Sequence, residues 1–539
     1  MTNFNLFTSN RLEILSRQMA DELRERPLSS PLATETVVVQ STGMKRWLSL
    51  ELARQTGICA NTRFVFPNML LQSILAGVFP EEFPGDLLDV TTMTWKLMPL
   101  LAQIAQSGMF AAPAAYLGDG DERKRYQLAA RLADTFDQYL IFRPEMLFDW
   151  EAGRGNNDDR DADWQAHLWR QIADTDVDGA RQIHRAAWWR KFIDLAESGG
   201  LEADCLPERI SVFGISTLPM FHVRFLHALA RYINVNLYIM NPCRQYWADI
   251  LSKTEISRLE EKGVRDNIAP ELLYLDTGNP LLASMGSVGR YFLSLLLDMD
   301  CEEISRFEGP GRETLLAGIQ ADILDLTGPE AGDMAAPSLK IADEATAGPF
   351  TLSASDRSLC INVCHSPMRE IEVLHDALLD MFDDDPHLAP EDILIMAPDI
   401  ETYAPYIEAV FSARQPGAPV IPCTVADRSP RSASPVIAAF LNFFTLFNSR
   451  FEAADVMAAL EPVFIRRRFG LTESDLAGVV RWIDKAGVRW GIDADFKASL
   501  EVPAFSENTW QFGMDRLLLG WALPEETGRL FADILPCDD

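Results

Sequence analysis

The clearest hydrophobic pattern in the chain runs from residue 36 to residue 52. Residues 37–39 are three consecutive valines, a run typical of a strand that is covered on both faces. Ser41, Thr42 and Gly43 interrupt this run and provide capping oxygens and a flexible backbone position. The apolar residues that follow have the spacing of one buried helix face, and they are Met44, Trp47, Leu48 and Leu52. The pattern predicts a strand, a polar turn and a helix.

Polar side chains follow this predicted strand directly, and they are Gln40, Thr42, Lys45 and Arg46. Open α/β sheets bind their ligands at the carboxyl ends of parallel strands, so these residues are candidates for a binding site. The alternative is an ordinary strand-to-helix connection with incidental polar side chains, and composition alone favours that interpretation.

Other short apolar runs alternate with helical patterns, which predicts a doubly wound parallel sheet. The strands predicted for a first α/β unit are 4–7, 37–39, 209–213 and 235–240, and those for a second unit are 359–364, 393–396 and 421–425. Residues from about 69 to 148 have helical periodicity. Trp188, Trp189 and Phe192 lie on a later helix, where a core position is favoured over the alternative of a base-stacking platform. Two segments rich in Gly, Asn, Asp or Pro predict a loop over 151–177 and an interdomain linker over 309–355.

The helix predicted to end before Arg143 and Pro144 has two different faces. Its apolar face comprises Leu132, Ala133, Phe136, Tyr139 and Leu140. Asp134, Asp137 and Gln138 lie together on another face, at the i, i+3 and i+4 spacing. This second face is either a solvated acidic surface, which is the commoner outcome, or a set of hydrogen-bond acceptors for the exposed edges of nucleic-acid bases.

The length and composition predict a soluble, multidomain protein. A chain of 539 residues is too long for one core and should form three or four domains. It contains no run of about 18 apolar residues and begins without a signal-peptide pattern, so we expect no membrane span and a cytoplasmic location. The eight cysteines form no CxxC pair, and Cys360 and Cys364 are expected to be buried thiols, not zinc ligands.

The acidic net charge argues against nonspecific DNA binding but does not exclude a local nucleic-acid site. The chain has 48 Lys and Arg residues against 79 Asp and Glu residues, a net charge of −31. A protein that coats DNA nonspecifically would normally be basic. A locally Arg-lined groove, or a subunit whose basic partner makes most of the phosphate contacts, remains compatible with this charge.

A nucleoside triphosphatase needs particular residues at two positions, and this chain has different residues at both. A P-loop requires glycines and a lysine after the first strand, but this chain has Thr8, Ser9, Asn10 and Arg11 there. The strand at 209–213 continues into Gly214 and not into the acidic pair that would hold magnesium. These absences count against an active helicase. No set of Asp, Glu and Lys residues suggests a nuclease site, and an acidic scaffold protein remains the fallback interpretation.

Several short segments, taken together and in order, resemble the RecC family, the gamma subunits of exodeoxyribonuclease V. They are SNRL (9–12), VQSTGM (39–44), FDQYL (136–140), RP (143–144), GIS (214–216), NPCR (241–244), NPLLAS (279–284), HSPMRE (365–370) and RWGID (489–493). No single segment is decisive, but the set covers nearly the whole chain. Family members are about twice this length, so the chain looks like an N-terminal half.

The resemblance implies an α/β fold with two superfamily-1 helicase-like domains. These would be parallel-sheet, P-loop NTPase-like domains that are catalytically dead and carry large helical insertions. Residues 1–335 would form domain 1, with a helical 1B insertion around 69–205. Residues 336–450 would form the first part of domain 2A, and 451–539 the start of a truncated helical 2B insertion. The family's nuclease-like C-terminal domain would be missing.

The resemblance also implies a function in double-strand-break repair by homologous recombination. The chain would be a non-catalytic DNA-binding subunit of a RecBCD-type helicase–nuclease, in a heterotrimer with RecB-like and RecD-like subunits. It would split duplex ends, channel single-stranded DNA, and recognise Chi, a short guanine-rich signal. ATP and magnesium would act in the partner subunits, and this chain would hold no cofactor or metal and contact no membrane.

The family's Chi-reading tunnel maps by resemblance onto ten positions. They are Gln40, Thr42, Arg46, Phe66, Gln72, Asp134, Thr135, Asp137, Arg143 and Arg185. Arg46, Phe66, Gln72 and Thr135 differ in type from the residues of the best-known members, which leaves the recognised sequence open. Acidic side chains suit such a tunnel because the Watson–Crick edge of guanine presents N–H donors.

Overall fold

The computed structural model separates the chain into two compact units, Met1–Cys360 and Ile361–Asp539. The structure describes residues 3–83, 88–107, 110–118, 120–154, 160–173, 176–177, 180–181, 184–265, 277–328, 353, 355–412, 420–429, 434–523 and 528–537. Within these ranges no helix is both long and apolar enough to span a membrane.

A six-stranded parallel sheet organises the first unit, as predicted. Its strands are β1 (Phe4–Ser9), β2 (Glu35–Val38), β3 (Thr62–Val65), β6 (Arg209–Phe213), β7 (Asn234–Met240) and β8 (Glu302–Ser305), and β4 (Asp176–Val177) and β5 (Ala180–Arg181) form a separate antiparallel pair. The order across the sheet is β3-β2-β6-β7-β1-β8. The sequence analysis listed neither β3 nor β8 among the predicted strands, and the mostly polar residues of β8 lack a strand-like apolar run.

Both faces of the sheet are buried, because apolar side chains alternate between them along each strand. Val38 and Leu237 belong to a large core that continues into helices, whereas Val37, Val39 and Tyr238 point to the opposite face. The smaller core on that opposite face contains buried residues of the first two helices. The three-valine run therefore lies in a strand covered on both faces, as predicted.

The first unit is mostly helical outside its sheet. Its helices are α1 (Leu12–Glu25), α2 (Thr42–Thr56), α3 (Pro67–Val78), α4 (Val90–Ser107), α5 (Ala111–Tyr116), α6 (Glu122–Phe142), α7 (Pro144–Glu151), α8 (Arg160–Ala173), α9 (Arg185–Glu197), α10 (Met220–Leu229), α11 (Lys253–Arg265), α12 (Pro280–Met285), α13 (Ser287–Leu297) and α14 (Leu315–Leu324). The predicted helical region and the end of α6 before Arg143 and Pro144 are confirmed. Trp188, Trp189 and Phe192 are buried on α9, as predicted.

Two segments predicted to be irregular contain helices. The predicted loop over 151–177 holds α8, in which Leu168, Trp169 and Ile172 are buried. The predicted linker over 309–355 holds α14, whose N-terminus is capped by Thr314. In both cases flanking Gly, Asn and Asp residues obscured a short apolar stripe that is stabilised by packing. The parts of these predictions at 155–159, 174–175, 329–352 and 354 lie outside the described residues.

The second unit is helical and lacks the predicted sheet within the residues that the structure covers. Its helices are α15 (Pro367–Asp384), α16 (Ile400–Phe411), α17 (Pro435–Leu446), α18 (Ala453–Leu460), α19 (Val463–Phe469), α20 (Glu473–Ala486), α21 (Ala494–Ser499) and α22 (Trp510–Ala522). The segments predicted as strands at 359–364, 393–396 and 421–425 have no ladder pairing there. These segments contain the apolar residues that favour a strand. A strand also requires a hydrogen-bonded neighbour, and the described residues provide none.

All eight cysteines are free thiols. Cys360 is exposed and Cys364 is half-buried, so the prediction that both are buried is wrong. The reason is that the segment containing them packs against no neighbouring strand among the described residues. Over the described ranges, no group of three or more His, Cys, Asp or Glu residues is arranged to hold a metal ion.

Candidate nucleic-acid interface

Four of the predicted site residues follow β2 and β3, and we call them the edge group: Gln40, Thr42, Arg46 and Phe66. β2 and β3 are parallel neighbours, and the Val39 amide donates to the Val65 carbonyl at 3.0 Å. Gln40 and Phe66 therefore emerge from the same edge of the sheet.

A side-chain cap fixes where α2 begins. Ser41 Oγ accepts a hydrogen bond from the Met44 amide at 3.1 Å, which satisfies one of the free N–H groups of the first turn. Thr42 and Arg46 lie on the exposed surface of α2, and Arg46 makes no ion pair with the described residues. The edge group thus forms an exposed surface of three polar side chains and one phenylalanine at the carboxyl ends of the strands.

Three other predicted residues meet in a pocket of about 320 Å³, which we call the polar pocket. Its lining comprises Asn68, Leu71, Gln72, Leu88, Asp89, Val90, Thr91, Asp137, Arg185 and Trp189. α3 contributes Gln72, α6 contributes Asp137, and α9 contributes Arg185. Because Phe66 caps α3, the same helix carries one residue of the edge group and one residue of the polar pocket.

An ion pair between α6 and α9 forms one side of the polar pocket. Arg185 Nη2 donates to Asp137 Oδ1 at 2.5 Å and to the Asp137 carbonyl at 2.9 Å. The Arg185 side chain is only 14% exposed, and its guanidinium carbon lies 5.7 Å from the Trp189 ring centroid. Asp137 Oδ2 makes no hydrogen bond with any described residue, so the carboxylate keeps a free acceptor at the pocket.

The start of α9, and therefore Arg185, is held in place by the preceding residue. His184 is buried and accepts a hydrogen bond from the Ala187 amide through Nδ1 at 3.3 Å. Its other ring nitrogen contacts Glu151 Oε1 at 2.8 Å, across 33 residues of sequence. These contacts fix the point at which Arg185 leaves the backbone.

Asn68 and Trp189 also line the pocket, and His222, which does not line it, contacts Asn68. The sequence analysis did not select these three residues as site residues. His222 Nε2 lies 3.1 Å from Asn68 Oδ1, and burial, with a smaller contribution from the Arg185 charge, lowers the pKa of His222 to about 4. The imidazole is therefore neutral at pH 7, and Nε2–H donates to Asn68. Trp189 is buried, lines the pocket and stacks on Phe221 with ring centroids 4.2 Å apart.

No sequence pattern indicates that these residues belong to one site. Asn68 and His222 are separated by 154 positions, and no spacing rule connects them. Trp189 lies on an apolar helix face, where a core assignment is the natural one. The ring is buried and also lines the polar pocket, so it is both core and pocket wall.

The remaining predicted residues lie elsewhere on α6 and at its end. Asp134 accepts a hydrogen bond from Gln138 at 3.1 Å and lies 3.5 Å from Arg131 in an ion pair on the helix surface. Thr135 donates its hydroxyl to the Arg131 carbonyl at 2.8 Å. Arg143 lies between α6 and α7 and lines a different groove, of about 880 Å³. The structure therefore does not gather all ten predicted residues around one pocket.

The turn after β1, where a P-loop would bind triphosphate, does not fit that ligand. Asn10 forms two hydrogen bonds with the backbone of Glu308, and Arg11 lies 3.8 Å from the Glu308 carboxylate. The Arg11 amide donates to Ser9 Oγ at 3.1 Å. A turn that lacks both glycine and lysine, and that is tied to a carboxylate, cannot cradle phosphate oxygens.

Comparison with known proteins gives consistent matches over both units. Residues 4–326 match the family "RecC, N-terminal domain", and residues 433–539 match "RecBCD enzyme subunit RecC fourth domain". The RecBCD enzyme subunit RecC of Escherichia coli K12 is 36% identical over 99% of this chain and 49% of that protein. Those of Haemophilus influenzae and Mycolicibacterium smegmatis are 31% and 32% identical, over 97% and 99% of this chain and 49% and 47% of those proteins. The chain spans about half the length of these relatives, and it belongs to the RecC family.

Proposed function

We propose that the chain is a non-catalytic DNA-handling subunit of a RecBCD-type helicase–nuclease, and that the polar pocket and the edge group read a Chi-like signal in single-stranded DNA. The observation that carries this proposal is the Asp137–Arg185 pair beside Trp189. The pair holds a carboxylate acceptor in a pocket of about 320 Å³, next to an aromatic ring. Guanine presents N–H donors on its Watson–Crick edge, so a fixed carboxylate favours it over bases that present acceptors there.

In this proposal the catalytic work belongs to partner subunits. RecB-like and RecD-like subunits supply ATP-driven movement, with magnesium, while this chain splits forked duplex ends and channels single strands. The relatives described above are all RecBCD enzyme subunits, which supports a role within such a complex. The misfit between the turn after β1 and triphosphate supports the assignment of ATP to the partners.

The domain organisation is part of the same proposal. Residues 1–335 form a helicase-like domain with an insertion around 69–205, residues 336–450 form the first part of a second such domain, and residues 451–539 begin another insertion. The parallel sheet of the first unit, with strands in a doubly wound order, is compatible with the first of these domains. The match of residues 433–539 to a separate family domain is compatible with an insertion near that point.

The first experiment is a pull-down of this chain with the RecB-like subunit, with and without the RecD-like subunit. We expect stable co-purification. The second step compares the complex containing the natural chain with complexes containing Asp137→Ala or Gln72→Ala, two changes in the polar pocket. Both changes should impair the response to a Chi-like sequence and leave the unwinding rate nearly unchanged.

Arg123→Ala is a control, because Arg123 is an exposed residue of α6 that does not line the polar pocket. It should leave both the signal response and unwinding unchanged. Equal loss of both activities in Asp137→Ala would indicate a folding defect and contradict the assigned role. Partner binding without any DNA binding by the complex would favour the scaffold interpretation instead.

A further inference from the structure

Asn68 and Asp137 line the polar pocket from two different helices, α3 and α6. Asp137 offers an acceptor, because its Oδ2 atom makes no hydrogen bond with any described residue. One acceptor does not define guanine, since the amino groups of adenine and cytosine can also donate to it. Guanine differs from both because its O6 acceptor lies beside N–H donors. A pocket that selects guanine therefore needs a hydrogen-bond donor as well as the carboxylate.

His222 determines which way the amide of Asn68 faces. His222 Nε2 lies 3.1 Å from Asn68 Oδ1. Its Nδ1 atom is buried and has no hydrogen-bond partner among the described residues, so a proton on Nδ1 would be an unpaired buried donor. The proton of the neutral ring therefore lies on Nε2 and is donated to Asn68 Oδ1. With Oδ1 engaged, Asn68 Nδ2 is the side-chain atom left for a ligand, and it bonds no residue in the described ranges.

The imidazole behind Asn68 is itself held in place. Only 4% of His222 is exposed, and its ring centroid lies 5.8 Å from that of Trp189, which also lines the polar pocket. Burial, with a smaller contribution from the Arg185 charge, lowers the pKa of His222 to about 4. The ring is therefore neutral at pH 7, with one donor nitrogen and one acceptor nitrogen. Asn68 is exposed at the start of α3, so its amide nitrogen is accessible from the pocket.

We propose that Asn68 is a further specificity-determining residue, whose amide nitrogen donates to O6 of a guanine that directs its N–H donors to Asp137, and that His222 is the positioning residue that fixes this amide. This contact rests on the proposed function, because it belongs to the same pocket. The opposite orientation of the amide would present an acceptor and favour adenine, whose N6 amino group donates. Together the two side chains complement both kinds of group on the guanine edge.

Modified bases separate the two contacts. In a short guanine-rich single strand, each guanine in turn is replaced by 6-thioguanine, which carries sulfur in place of O6, or by hypoxanthine, which lacks the N2 amino group. Fluorescence anisotropy without ATP measures the affinity of each strand for this chain assembled with its RecB-like and RecD-like partners. We expect one position at which both replacements weaken binding by about two- to tenfold, the range for one hydrogen bond.

Four variants assign these effects to residues. Asn68→Ala should bind the guanine and 6-thioguanine strands equally and still distinguish guanine from hypoxanthine, and Asp137→Ala should show the converse. His222→Leu removes the donor and should reduce discrimination against 6-thioguanine, whereas His222→Gln, whose amide can donate to Asn68, should keep it. Met69→Ala is the matched control and should keep both preferences, because Met69 is an exposed neighbour on α3 that does not line the polar pocket.

The possible failures are distinguishable from one another. If Asn68→Ala still discriminates against 6-thioguanine while Asp137→Ala no longer discriminates against hypoxanthine, the assigned role of Asn68 is overturned and the proposed function stands. Equal affinities of the natural complex for all strands would overturn the proposed function and the role of Asn68 with it. If His222→Gln loses as much discrimination against 6-thioguanine as His222→Leu, the positioning role of His222 is overturned.

Discussion

Arg185 and Asp137 are 48 residues apart in the chain, and the Arg185 guanidinium bonds both the side chain and the backbone carbonyl of Asp137. The two bonds join the first turn of α9 to the middle of α6. Because the guanidinium is only 14% exposed, water competes weakly for these bonds. The direction in which Asp137 presents its free oxygen therefore depends on Arg185.

The first prediction follows from this dependence. Arg185→Lys keeps the positive charge but replaces the planar fork of donors with a single ammonium group. We expect affinity for a guanine-rich single strand to fall by about tenfold, the lower part of the range for one specific base contact, with little change for a scrambled strand. Fluorescence anisotropy of the assembled complex on labelled strands measures both affinities. Equal weakening on the two strands would contradict a recognition role.

A second prediction concerns acid stability. The pKa of His222 is lowered to about 4 in the folded protein, below its ordinary value of 6.5. Between these two pH values the unfolded chain binds more protons than the folded chain, so stability is lost as pH falls through this window. Each unit of pKa difference corresponds to about 1.4 kcal/mol.

His222→Gln tests this prediction, because a glutamine amide can still donate to Asn68 but does not titrate. Urea unfolding followed by tryptophan fluorescence should show a shallower loss of stability in the variant between pH 6.5 and pH 4. Above pH 6.5 the difference in the free energy of unfolding between the two proteins should be constant. If the free energies of unfolding of the two proteins run parallel across the whole pH range, His222 does not titrate as predicted.

The third prediction concerns the buried pair of Glu35 and Arg209 at the amino ends of β2 and β6. The Arg209 side chain is 4% exposed, contacts both Glu35 carboxylate oxygens, and donates to the Arg26 carbonyl at 2.7 Å. Glu35→Gln leaves a buried cation without its counter-charge, which typically costs about 3–5 kcal/mol. We expect a loss of that size in the free energy of unfolding of the first unit.

An exposed pair provides the control for this measurement. Asp21→Asn removes the partner of Arg24 on α1, where both side chains are about half exposed. Exposed ion pairs contribute less than about 1 kcal/mol, so this change should leave the free energy of unfolding nearly unchanged. Similar losses for the two variants would show that burial of Arg209 does not govern the effect.

The fourth prediction concerns Gly214, at the carboxyl end of β6. Its φ is +63°, and a Cβ atom there would lie 3.0 Å from Met44 Cε at the start of α2. Gly214→Ala should destabilise the first unit by about 1–2 kcal/mol from backbone strain, with a further loss from the Met44 contact. Gly57→Ala is the matched control, because Gly57 has φ +87° and no atom near its Cβ position. Thermal unfolding of the two variants separates strain from contact.

Local sequence patterns predicted most of the elements that carry the candidate site. The three-valine run became a strand covered on both faces, Ser41 capped α2, and Arg143 with Pro144 ended α6. Each of these features depends on residues within a few positions of one another, so periodicity and capping rules apply directly. The same rules missed α8, because the Gly, Asn and Asp residues before it obscured its short apolar stripe.

The residues of the candidate site came from two different sources. Resemblance to the RecC family supplied the ten positions, and the structure brings only Gln72, Asp137 and Arg185 of them into the polar pocket. Asn68, which lines the pocket, and His222, which contacts Asn68, are 154 positions apart. Their contact joins α3 to α10, and no short-range pattern encodes such a contact.

The amino-acid sequence by itself determined the end of the buried strand β2, the capped start of α2 and the end of α6, and that the turn after β1 lacks the glycines and lysine of a P-loop. These properties are local, because hydrogen bonding and side-chain periodicity act over a few residues. Only the tertiary structure decided the strand order, the Asp137–Arg185 pair, and the absence of ladder partners for residues 361–364, 393–396 and 420–425 in the part described. These features depend on contacts between distant segments, whose formation is governed by the packing of the whole core and not by any one stretch of the chain.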